Sequence, residues 1–368
     1  MRLGLLLEQL VAPVPGGTGR YTAELAAALV RTAHPQNHIT GWTAWHRDGS
    51  AARLDGVESR RLPAPRRALV AAWERGRGPV PHRVDVLHAP TPLFPPRTRP
   101  LVVSVHDAVP WTHPQTLTIR GVQWHRRMVG LAAAQADVIA VPTQAVADEL
   151  LTFVPALDRN RIVVLGAGVS RALSEEPSAA ECDRIRRHYR LAEPFILSVA
   201  TLEPRKGLDV LIDAMGLIGG DAPQLVVVGQ PGWGGLDLAA LAARAHLSSE
   251  QVKVLGRVPD AELNALLRMA SAVIVPSRAE GFGLPVVEAM AVGTPVICTD
   301  VPALVEVAGS AAVVVAREDP SALGEVILRV VNDFELAQQL GEAGRLRARL
   351  FDWDDVARRA WQVYHRLA

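Results

Sequence analysis

Cysteine is scarce in this chain of 368 residues, which contains only Cys182 and Cys298. The two stand far apart and have no partners at metal-binding spacing, so the sequence contains neither a disulfide framework nor a cysteine-ligated metal motif. Such scarcity is typical of small core residues in a reducing compartment. We therefore predict a cytoplasmic protein and assign the cysteines no chemistry.

Long apolar runs are also missing. Residues 3–7 are apolar, but Glu8 interrupts the run, and a glycine turn without a small-residue cleavage site follows, so we predict a first strand rather than a signal peptide. No segment is long enough to span a bilayer. Apolar residues nevertheless make up 49% of the chain and charged residues 21%, which is typical of a soluble α/β protein. The length favours two hydrophobic cores.

Lysine is almost absent. The net charge of +1 gives no reason to expect a nucleic-acid partner. All but two of the 39 lysines and arginines are arginines, and one of the two lysines, Lys206, follows Arg205 in a turn between a predicted strand and a predicted helix. Two cations beside the N–H groups of a helix start favour a pyrophosphate. For this turn alone, a solvated basic turn is the alternative.

Short apolar runs alternate with helical patterns along the whole chain, which predicts βαβ units and parallel sheets. The composition becomes polar between Arg171 and Pro194, where we place an interdomain linker. We therefore predict an α/β fold with two doubly wound, Rossmann-like domains. The predicted bounds are 1–172 for the first domain, 173–193 for the linker, 194–350 for the second domain and 351–368 for a C-terminal helix.

One stretch of the second half, SRAEGFGLPVVEAMAVGTP, has the features of a ligand site. An apolar run that predicts a buried strand precedes it, and Pro285 suits the first turn of a helix. Gly281 and Gly283 allow positive φ and the close approach of a ligand. We place Glu288 in the first helical turn, so Glu280 and Glu288 can both accept hydrogen bonds from hydroxyls. Either glutamate alone is better explained as a loop residue or as a partner of the helix dipole.

Two features of the first half contribute to the same hypothesis. A glycine loop that contains Gly17, PVPGGTG, follows the first strand and opens a helix, an arrangement that suits a phosphate. It does not match the full dinucleotide fingerprint, and a tight turn explains it equally well. The strand at residues 101–105 places His106 at its carboxyl end, where ligands bind in parallel sheets. A lone histidine there is more often structural, so His106 gains weight only from the residues that face it.

Together these motifs resemble the retaining glycosyltransferases of family four, which have the GT-B architecture. The second half contains ATLEPRKGLDVLIDAM, GQPGWGG, VLGRVPDAEL and PSRAEGFGLPVVEAMAVGTPVICTDVPALVEVAG, and the first half contains GGTGRYTAEL and SVHDAVPWTHP. The match extends over nearly the whole chain and is closest to bacterial mannosyltransferase-like polysaccharide enzymes. The resemblance implies two Rossmann-like domains facing an interdomain cleft, with a C-terminal helix that crosses back to the first domain.

The resemblance also implies roles for the matching residues. Glu280 would hold the hydroxyls of the donor sugar, and Glu288 would bind the nucleotide ribose. Arg205 and Lys206 would bind the pyrophosphate, and His106 would meet the donor sugar beside the reacting carbon. The implied catalytic residues are His106, Glu280, Arg205 and Lys206, and the further donor-binding residues are Gly17, Gly256, Arg257, Gly281, Phe282, Gly283, Leu284 and Glu288.

The implied reaction is transfer with retention at the anomeric carbon, without a cofactor or a metal. No carboxylate nucleophile is evident for a double displacement, so the leaving phosphate itself would take the proton of the acceptor. The DxD pattern at residues 352–354 would suggest a metal in other glycosyltransferases, but here it opens the last helix and predicts an N-cap. Ala200 and Thr201 stand where many members carry an arginine. Arg205 would then neutralise more of the phosphate charge, or the donor would bind more weakly.

The sequence is least informative about how the acceptor is bound. Tryptophans stand among arginines in the first half, and such a face could dock on an anionic membrane that holds a lipid-linked acceptor, although a solvated surface is the simpler interpretation. The residues concerned are Arg60, Arg61, Arg66, Arg67, Arg75, Arg77, Arg120, Arg126 and Arg127, with Trp42, Trp45, Trp73 and Trp124. Peripheral contact with the inner face of the plasma membrane is therefore a hypothesis.

We predict GDP-mannose as the donor, from likeness to the mannosyltransferase subgroup, and a saccharide or lipid-linked glycan as the acceptor. Two alternatives remain. One is a nucleotide-sugar epimerase of the same architecture, although the additional acid–base carboxylates that it would need are not identifiable. The other is an inactive homologue that binds sugar nucleotides.

Overall fold

The computed structural model describes residues 1–368, which form two compact units, each built on one parallel sheet. The first unit comprises residues 1–111, 119–167 and 352–368, and the second comprises residues 112–118 and 168–351. The stretch 173–193, for which the sequence predicts a linker, lies within the second unit and contains a helix. None of the helices has the length and apolar character that a membrane span requires.

The first unit contains a seven-stranded sheet. Its strands are β1 (Arg2–Leu6), β2 (His38–Trp45), β3 (Glu58–Pro65), β4 (Val86–Ala89), β5 (Leu101–Ser104), β6 (Val138–Val141) and β7 (Ile162–Val164). They are ordered β3-β2-β1-β4-β5-β6-β7, and every neighbouring pair is parallel. Strands β5 and β6 are buried along their whole length, which explains their continuous apolar sequences LVVS and VIAV.

Helices cover this sheet, and their apolar sides build its core. They are α1 (Gly16–Thr32), α2 (Arg66–Trp73), α3 (Val109–Thr112), α4 (Ile119–Gln135) and α5 (Gln144–Phe153), with short 3-10 helices at Glu8–Val11, Ser50–Ala52 and Arg159–Arg161. A further 3-10 helix, Pro114–Thr116, lies in the stretch 112–118 that belongs to the second unit. One core cluster joins Trp42 of β2 and Trp73 of α2 to Met128 of α4, and all three are almost fully buried.

The second unit repeats the plan with six strands. They are β8 (Phe195–Val199), β9 (Gln224–Val228), β10 (Val252–Gly256), β11 (Ala272–Val275), β12 (Val296–Thr299) and β13 (Val313–Val315). They are ordered β10-β9-β8-β11-β12-β13, again all parallel. This is the doubly wound order in which the first strand of the unit lies in the middle of the sheet.

The helices of the second unit alternate with these strands. They are α6 (Ala179–Tyr189), α7 (Leu208–Ile218), α8 (Leu238–Arg244), α9 (Asp260–Met269), α10 (Leu284–Val292), α11 (Pro302–Ala308), α12 (Pro320–Asn332) and α13 (Phe334–Ala348), with 3-10 helices at Arg171–Leu173, Pro204–Lys206 and Gly219–Asp221. The two Rossmann-like parallel sheets are thus confirmed. The cleft between the domains stays a prediction.

The C-terminal helix α14 (Trp353–Leu367) belongs to the first unit, as predicted, and packs along α1. The side chain of Asp352 accepts a hydrogen bond from the backbone N–H of Asp354 at 2.7 Å, which confirms the predicted N-cap. Trp361 Nε1 donates to the backbone carbonyl of Leu29 on α1 at 3.2 Å. No group of three or more His, Cys, Asp or Glu side chains is placed to hold a metal ion, and the metal-free reaction stays a prediction.

Two aromatic side chains of α14 reach the interior of the first unit. The fully buried Tyr364 places its hydroxyl 2.6 Å from His88 Nδ1, and His88 Nε2 lies 2.8 Å from Ser104 Oγ. Burial lowers the pKa of His88 to about 3, so this histidine is neutral, and one ring nitrogen donates to one hydroxyl while the other nitrogen accepts from the second hydroxyl. Trp353 packs edge-on against Tyr21 of α1 at 5.2 Å between ring centroids. Helix α14 is therefore part of the first core.

Candidate functional site

Two loops of the second unit meet at the carboxyl ends of neighbouring strands. The basic turn, residues 201–207, follows β8, and the glutamate loop, residues 276–283, follows β11, which pairs with β8. The backbone N–H of Arg278 donates to the carbonyl of Arg205 at 2.9 Å, which ties the loops together. A Cβ on Gly207 would lie 2.0 Å from the Pro276 carbonyl oxygen, so only glycine permits this approach.

Glu280 is the centre of an ion-pair cluster where the loops meet. Its side chain is only 8% exposed. One carboxylate oxygen accepts hydrogen bonds from Lys206 Nζ and from Ser277 Oγ, the latter at 2.9 Å. The other oxygen accepts from Arg205 Nη1 at 3.2 Å. Three residues that the sequence predicts for the donor site are therefore in direct contact.

The two cations keep Glu280 ionised. Burial alone would raise the pKa of this carboxyl, but the charges of Lys206 and Arg205, together with hydrogen bonds from Lys206 and Ser277, outweigh burial and lower the pKa to about 2. At neutral pH the side chain is a carboxylate that can only accept hydrogen bonds. Such a group can bind hydroxyls, and it is unsuited to act as a general acid.

A second carboxylate in the cluster, Glu203, was missed by the sequence-based prediction. It is 1% exposed, and its Oε1 accepts hydrogen bonds from Arg205 Nη2 at 2.7 Å and from Arg205 Nε at 3.1 Å. Burial raises the pKa of Glu203, although the charges of Arg205 and Lys206 oppose the shift. Arg205 therefore contacts two carboxyl groups whose pKa values are shifted in opposite directions, downward for Glu280 and upward for Glu203.

Arg278 braces the two loops and was also missed. Its guanidinium group makes two hydrogen bonds of 2.8 Å to the carboxylate of Asp209 in the first turn of α7, and one of 2.7 Å to the carbonyl of Pro204. A further contact of 2.6 Å joins it to Glu318. Because Arg278 holds the start of α7 against the glutamate loop, it positions the basic turn without joining the Glu280 cluster. Its place inside the glutamate motif was the only indication in the sequence.

The glycine corner agrees with the prediction in part. Helix α10 begins at Leu284 with Pro285 in its first turn, and Gly283 is the N-cap with φ of 93°. Positive φ occurs at Gly283 and not at Gly281. Glu288 lies in the second turn of α10 and is 2% exposed, which corrects its predicted place in the first turn. Since dipole effects fade beyond the first turn, the helix dipole does not explain a buried carboxylate there.

The other predicted donor-binding residues of the second unit lie around this corner or at the sheet edge. Phe282 is buried, and its ring packs edge-on against Phe351 at 5.6 Å, so this side chain contributes to packing. Gly256 ends the edge strand β10, and Arg257 follows it as an exposed residue. Strand β9 separates β10 from β8. The prediction that Gly256 and Arg257 bind the nucleotide base is not tested by this arrangement and stays a prediction.

In the first unit, Gly17 lies in the first turn of α1. The helix begins at Gly16, so the predicted loop through Gly19 is helical from that residue onward, and φ is positive at Gly16 rather than at Gly17. A Cβ on Gly17 would meet no atom within 4 Å. Packing within this unit therefore does not require glycine at position 17.

His106 lies beyond the carboxyl end of β5, as predicted. Its Nε2 is 2.7 Å from the Pro90 carbonyl, and because a carbonyl only accepts, Nε2 carries the proton and donates. Burial lowers the pKa of His106, against the opposing effects of that hydrogen bond and of Asp107, so the ring is neutral and Nδ1 is left as an acceptor. The ring packs edge-on against Tyr21 at 4.7 Å, and Tyr21 contacts Trp353.

Two protein-family models match the chain. The model described as Glycosyltransferase Family 4 matches residues 15–173, and the model described as Glycosyl transferases group 1 matches residues 183–347, so together they cover most of the sequence. The chain is a glycosyltransferase of the family that these two models describe together. The predicted family is thereby confirmed, and the glutamate loop and the basic turn both lie within the group 1 match.

Relatives and solved structures agree with this assignment. The glycosyltransferase is 28% identical over 314 residues to O-antigen chain mannosyltransferase B of Escherichia coli, which covers 84% of this chain and 79% of the relative. It is 27% identical to phosphatidyl-myo-inositol mannosyltransferase of Mycobacterium leprae, over 100% of this chain and 97% of the relative. Anabaena HepE, solved in complex with UDP-glucose, has a TM-score of 0.77 at 21% identity and covers 100% of both chains, which confirms the GT-B fold.

The tryptophans of the arginine face are mostly core residues of the glycosyltransferase. Trp42 and Trp73 are 1% and 4% exposed, and Trp124 packs against the same core. Trp45, at the end of β2, is 56% exposed. The predicted interleaving of exposed aromatic and basic residues is therefore reduced to one tryptophan of the four, and membrane contact stays a prediction.

Glu203→Gln is expected to remove a pH dependence from the stability of the glycosyltransferase. Because burial raises the pKa of Glu203, the folded state binds a proton more readily than the unfolded chain does. The unfolding free energy of the wild type should thus rise relative to that of the variant as the pH falls from neutrality through the raised pKa. Chemical denaturation at stepwise lower pH measures this difference. Glu318→Gln, with a side chain that is 62% exposed, is the control, and a pH-independent difference for Glu203→Gln would contradict the raised pKa.

Proposed function

We propose that this glycosyltransferase moves mannose from GDP-mannose to a hydroxyl of a saccharide or lipid-linked glycan, with retention at the anomeric carbon. The observation that carries the proposal is the Glu280 cluster, in which one ionised carboxylate contacts Lys206 and Arg205 at the carboxyl end of a parallel sheet. A nucleotide sugar has hydroxyl donors and a charged pyrophosphate. The cluster contains a partner for each.

Donor binding is proposed as an exchange of partners. The pyrophosphate takes hydrogen bonds from Lys206 and Arg205, and the N–H groups at the start of α7 add to this anion site. The carboxylate of Glu280, relieved of part of its pairing, accepts hydrogen bonds from the sugar hydroxyls. Because both cations are already held by carboxylates, the donor replaces existing ion pairs and no isolated charge has to be created.

Retention is proposed to occur on one face of the sugar. A carboxylate with a pKa of about 2 and several hydrogen bonds is a poor nucleophile, so Glu280 is unsuited to a covalent intermediate. Instead, the bond from the anomeric carbon to the phosphate oxygen breaks as the bond to the acceptor oxygen forms, and the acceptor proton passes to the phosphate. Lys206 and Arg205 stabilise the charge on the leaving group. Neutral His106 is proposed to accept a hydrogen bond from the sugar through Nδ1.

The donor sugar and base are the finer part of the proposal. Two relatives are mannosyltransferases, which supports a mannosyl donor. The structural neighbour HepE was solved with UDP-glucose, so a uridine nucleotide is the competing choice. We propose that Gly256 and Arg257 hold the base, that Glu288 binds the ribose, and that Gly17 contacts the phosphate. The reaction is proposed to need no metal.

A thermal-shift comparison of GDP, UDP and ADP tests the donor site. GDP should raise the melting temperature most, because the proposed donor carries guanine. A ligand at 100 times its Kd stabilises the folded state by about 2.7 kcal/mol, which is enough for a clear shift. Glu288→Ala should lose most of the shift, since the ribose loses its acceptor. A larger shift with UDP would replace guanine in the proposal, and no shift with any nucleotide would overturn the donor site.

His106→Ala is the matched control for Glu288→Ala. Its proposed contact is with the sugar and not with the nucleotide, so the GDP shift should equal that of the wild type. Transfer should nevertheless fall in this variant. If His106→Ala transferred sugar at the wild-type rate, the role proposed for His106 would be wrong while the nucleotide site would stand.

A further inference from the structure

A cavity of about 180 Å³ lies in the first unit, beside strands β2 and β3 and the 3-10 helix Ser50–Ala52. It is lined by Gly41, Thr43, Gly49, Ala52, Arg53, Ser59, Arg60 and Arg61. Gly41 pairs with Ser59 and Thr43 pairs with Arg61 across the two strands, so these four alternate residues share one face of the sheet. None of the lining residues belongs to the proposed donor site.

The polar groups of this cavity have few partners inside the protein. Arg53 and Arg61 form no ion pair, and the guanidinium group of Arg61 reaches only the backbone carbonyl of His46, at 3.5 Å. The hydroxyls of Thr43 and Ser59 form no hydrogen bond within the protein, although Thr43 is only 7% exposed. Four side chains therefore keep hydrogen-bond donors available for a ligand. Arg53, Ser59 and Arg61 are exposed to solvent, and Thr43 is the buried member of the set.

The charge at the cavity is positive. Arg60 is paired with Glu58 at 2.8 Å, which leaves Arg53 and Arg61 uncompensated by a contacting carboxylate. Asp48 is the exposed carboxylate that these two arginines influence. Hydrogen bonds from Ser50 lower the pKa of Asp48, and the charges of Arg53 and Arg61 add to that effect from a longer distance.

Size and donor number favour a phosphate group over a carboxylate. At about 30 Å³ per water molecule, the cavity is much larger than one water and has room for a tetrahedral anion with the atoms attached to it. A phosphate monoester has three free oxygens, enough to accept from two guanidinium groups and two hydroxyls, whereas a carboxylate has two oxygens in one plane.

We propose that this cavity binds a phosphate group of the acceptor substrate, with Arg53, Arg61, Thr43 and Ser59 as its donors. The proposal rests on the proposed function, because it presumes that an acceptor is bound. It adds the chemical class of that acceptor, a phosphorylated glycan or glycolipid. A lipid phosphate and a soluble sugar phosphate share the chemistry that the cavity recognises.

Calorimetric titration with inorganic phosphate tests the site, with the donor site saturated by a nucleoside diphosphate. Arg53→Gln and Arg61→Gln should each weaken phosphate binding by about tenfold, since a hydrogen bond to a charged group contributes about 1.5 kcal/mol or more. Arg67→Gln is the matched control, because Arg67 is an exposed arginine of the same unit outside the cavity, and it should bind as the wild type does. No phosphate binding, or equal binding by all four proteins, would overturn the proposal.

Two further arms identify the source of the phosphate. Phosphatidylcholine vesicles doped with a polyprenyl phosphate should bind the wild type more than undoped vesicles do if the acceptor is a lipid, and a hexose 1-phosphate should compete with inorganic phosphate if it is soluble. Either result supports the site if Arg53→Gln and Arg61→Gln no longer bind the doped vesicles or the hexose 1-phosphate. Binding that all variants share would overturn it.

Nucleotide binding separates this proposal from the proposed function. Arg53→Gln and Arg61→Gln should keep the wild-type thermal shift with nucleoside diphosphate and should raise the acceptor KM by about tenfold with kcat and donor KM unchanged. An unchanged acceptor KM would overturn the acceptor role of the cavity and leave the donor site standing. Loss of nucleotide binding in the wild type would refute the proposed function, whatever the cavity binds.

Discussion

Glu280→Ala is expected to lower kcat/KM for sugar transfer about a thousandfold, because two charge-assisted hydrogen bonds to the sugar contribute about 2 kcal/mol each and 1.4 kcal/mol is a factor of ten. The variant should still bind nucleoside diphosphate at least as well as the wild type does. Without Glu280, Lys206 loses its carboxylate partner and Arg205 loses one of its two carboxylate partners, so both are more available to a pyrophosphate. Steady-state transfer and nucleotide titration measure the two effects separately.

Two variants make the Glu280 experiment interpretable. Glu280→Gln keeps the size and one acceptor oxygen but loses the charge, so its transfer rate should lie between those of the wild type and of Glu280→Ala. Glu318→Gln removes an exposed carboxylate that contacts Arg278 in the same unit and should leave transfer unchanged. Transfer by Glu280→Ala within about tenfold of the wild-type rate would show that the sugar-anchoring role is wrong. Such a loss is smaller than the loss expected from removing even two weak hydrogen bonds to a charged group.

Trp353→Ala is expected to destabilise the first unit by about 3–5 kcal/mol, the usual cost of deleting a buried tryptophan side chain. Trp353 is 2% exposed and packs on Tyr21, which in turn packs on His106. The loss should therefore loosen His106 as well as the contact between α14 and α1. Hydrogen exchange is the suitable measurement, because it should show reduced protection in α1 and α14 with the strands of the second unit unchanged.

Phe334→Ala and Trp353→Phe are the controls for this experiment. Phe334 is 80% exposed, so its removal should change stability by less than about 0.5 kcal/mol. Trp353→Phe keeps an aromatic edge against Tyr21 and should lose less than Trp353→Ala. A loss below about 1 kcal/mol for Trp353→Ala, well under the usual range for buried aromatic residues, would show that α14 is not integral to the first core.

Much of the fold could be predicted because each element has a local pattern. The apolar run of β11 followed by Pro285 predicts strand, corner and helix in the right order, and the polar start of α14 predicts its N-cap. Boundaries were less accurate where propensity opposes the fold. Helix α1 begins at Gly16, inside a glycine-rich segment that local preference assigns to a loop, because tertiary packing along α14 overrides that preference.

The candidate site was predictable only where its residues share a motif. Glu280, Arg205 and Lys206 were expected to act together, and they are in contact. Arg278 was missed because its partners depend on the lateral order of the sheet, which places β11 beside β8 although β9 and β10 lie between them in the chain. Glu203 was missed although its partner Arg205 lies only two residues away in the same turn. Residue spacing does not reveal that order. Exposure was also hidden, since tryptophan beside arginine suits a core as well as a surface.

The central claim is that this chain is a nucleotide-sugar-dependent transferase whose donor is GDP-mannose. Incubation of the full chain with GDP-mannose, UDP-glucose and other nucleotide sugars, together with saccharide and lipid-linked acceptors, tests it most directly by mass spectrometry of the products. We predict one hexose added to an acceptor from GDP-mannose, with release of GDP and with transfer by Glu280→Ala slowed about a thousandfold. Transfer from another nucleotide sugar in preference to GDP-mannose, or no transfer from any of them, would contradict the account.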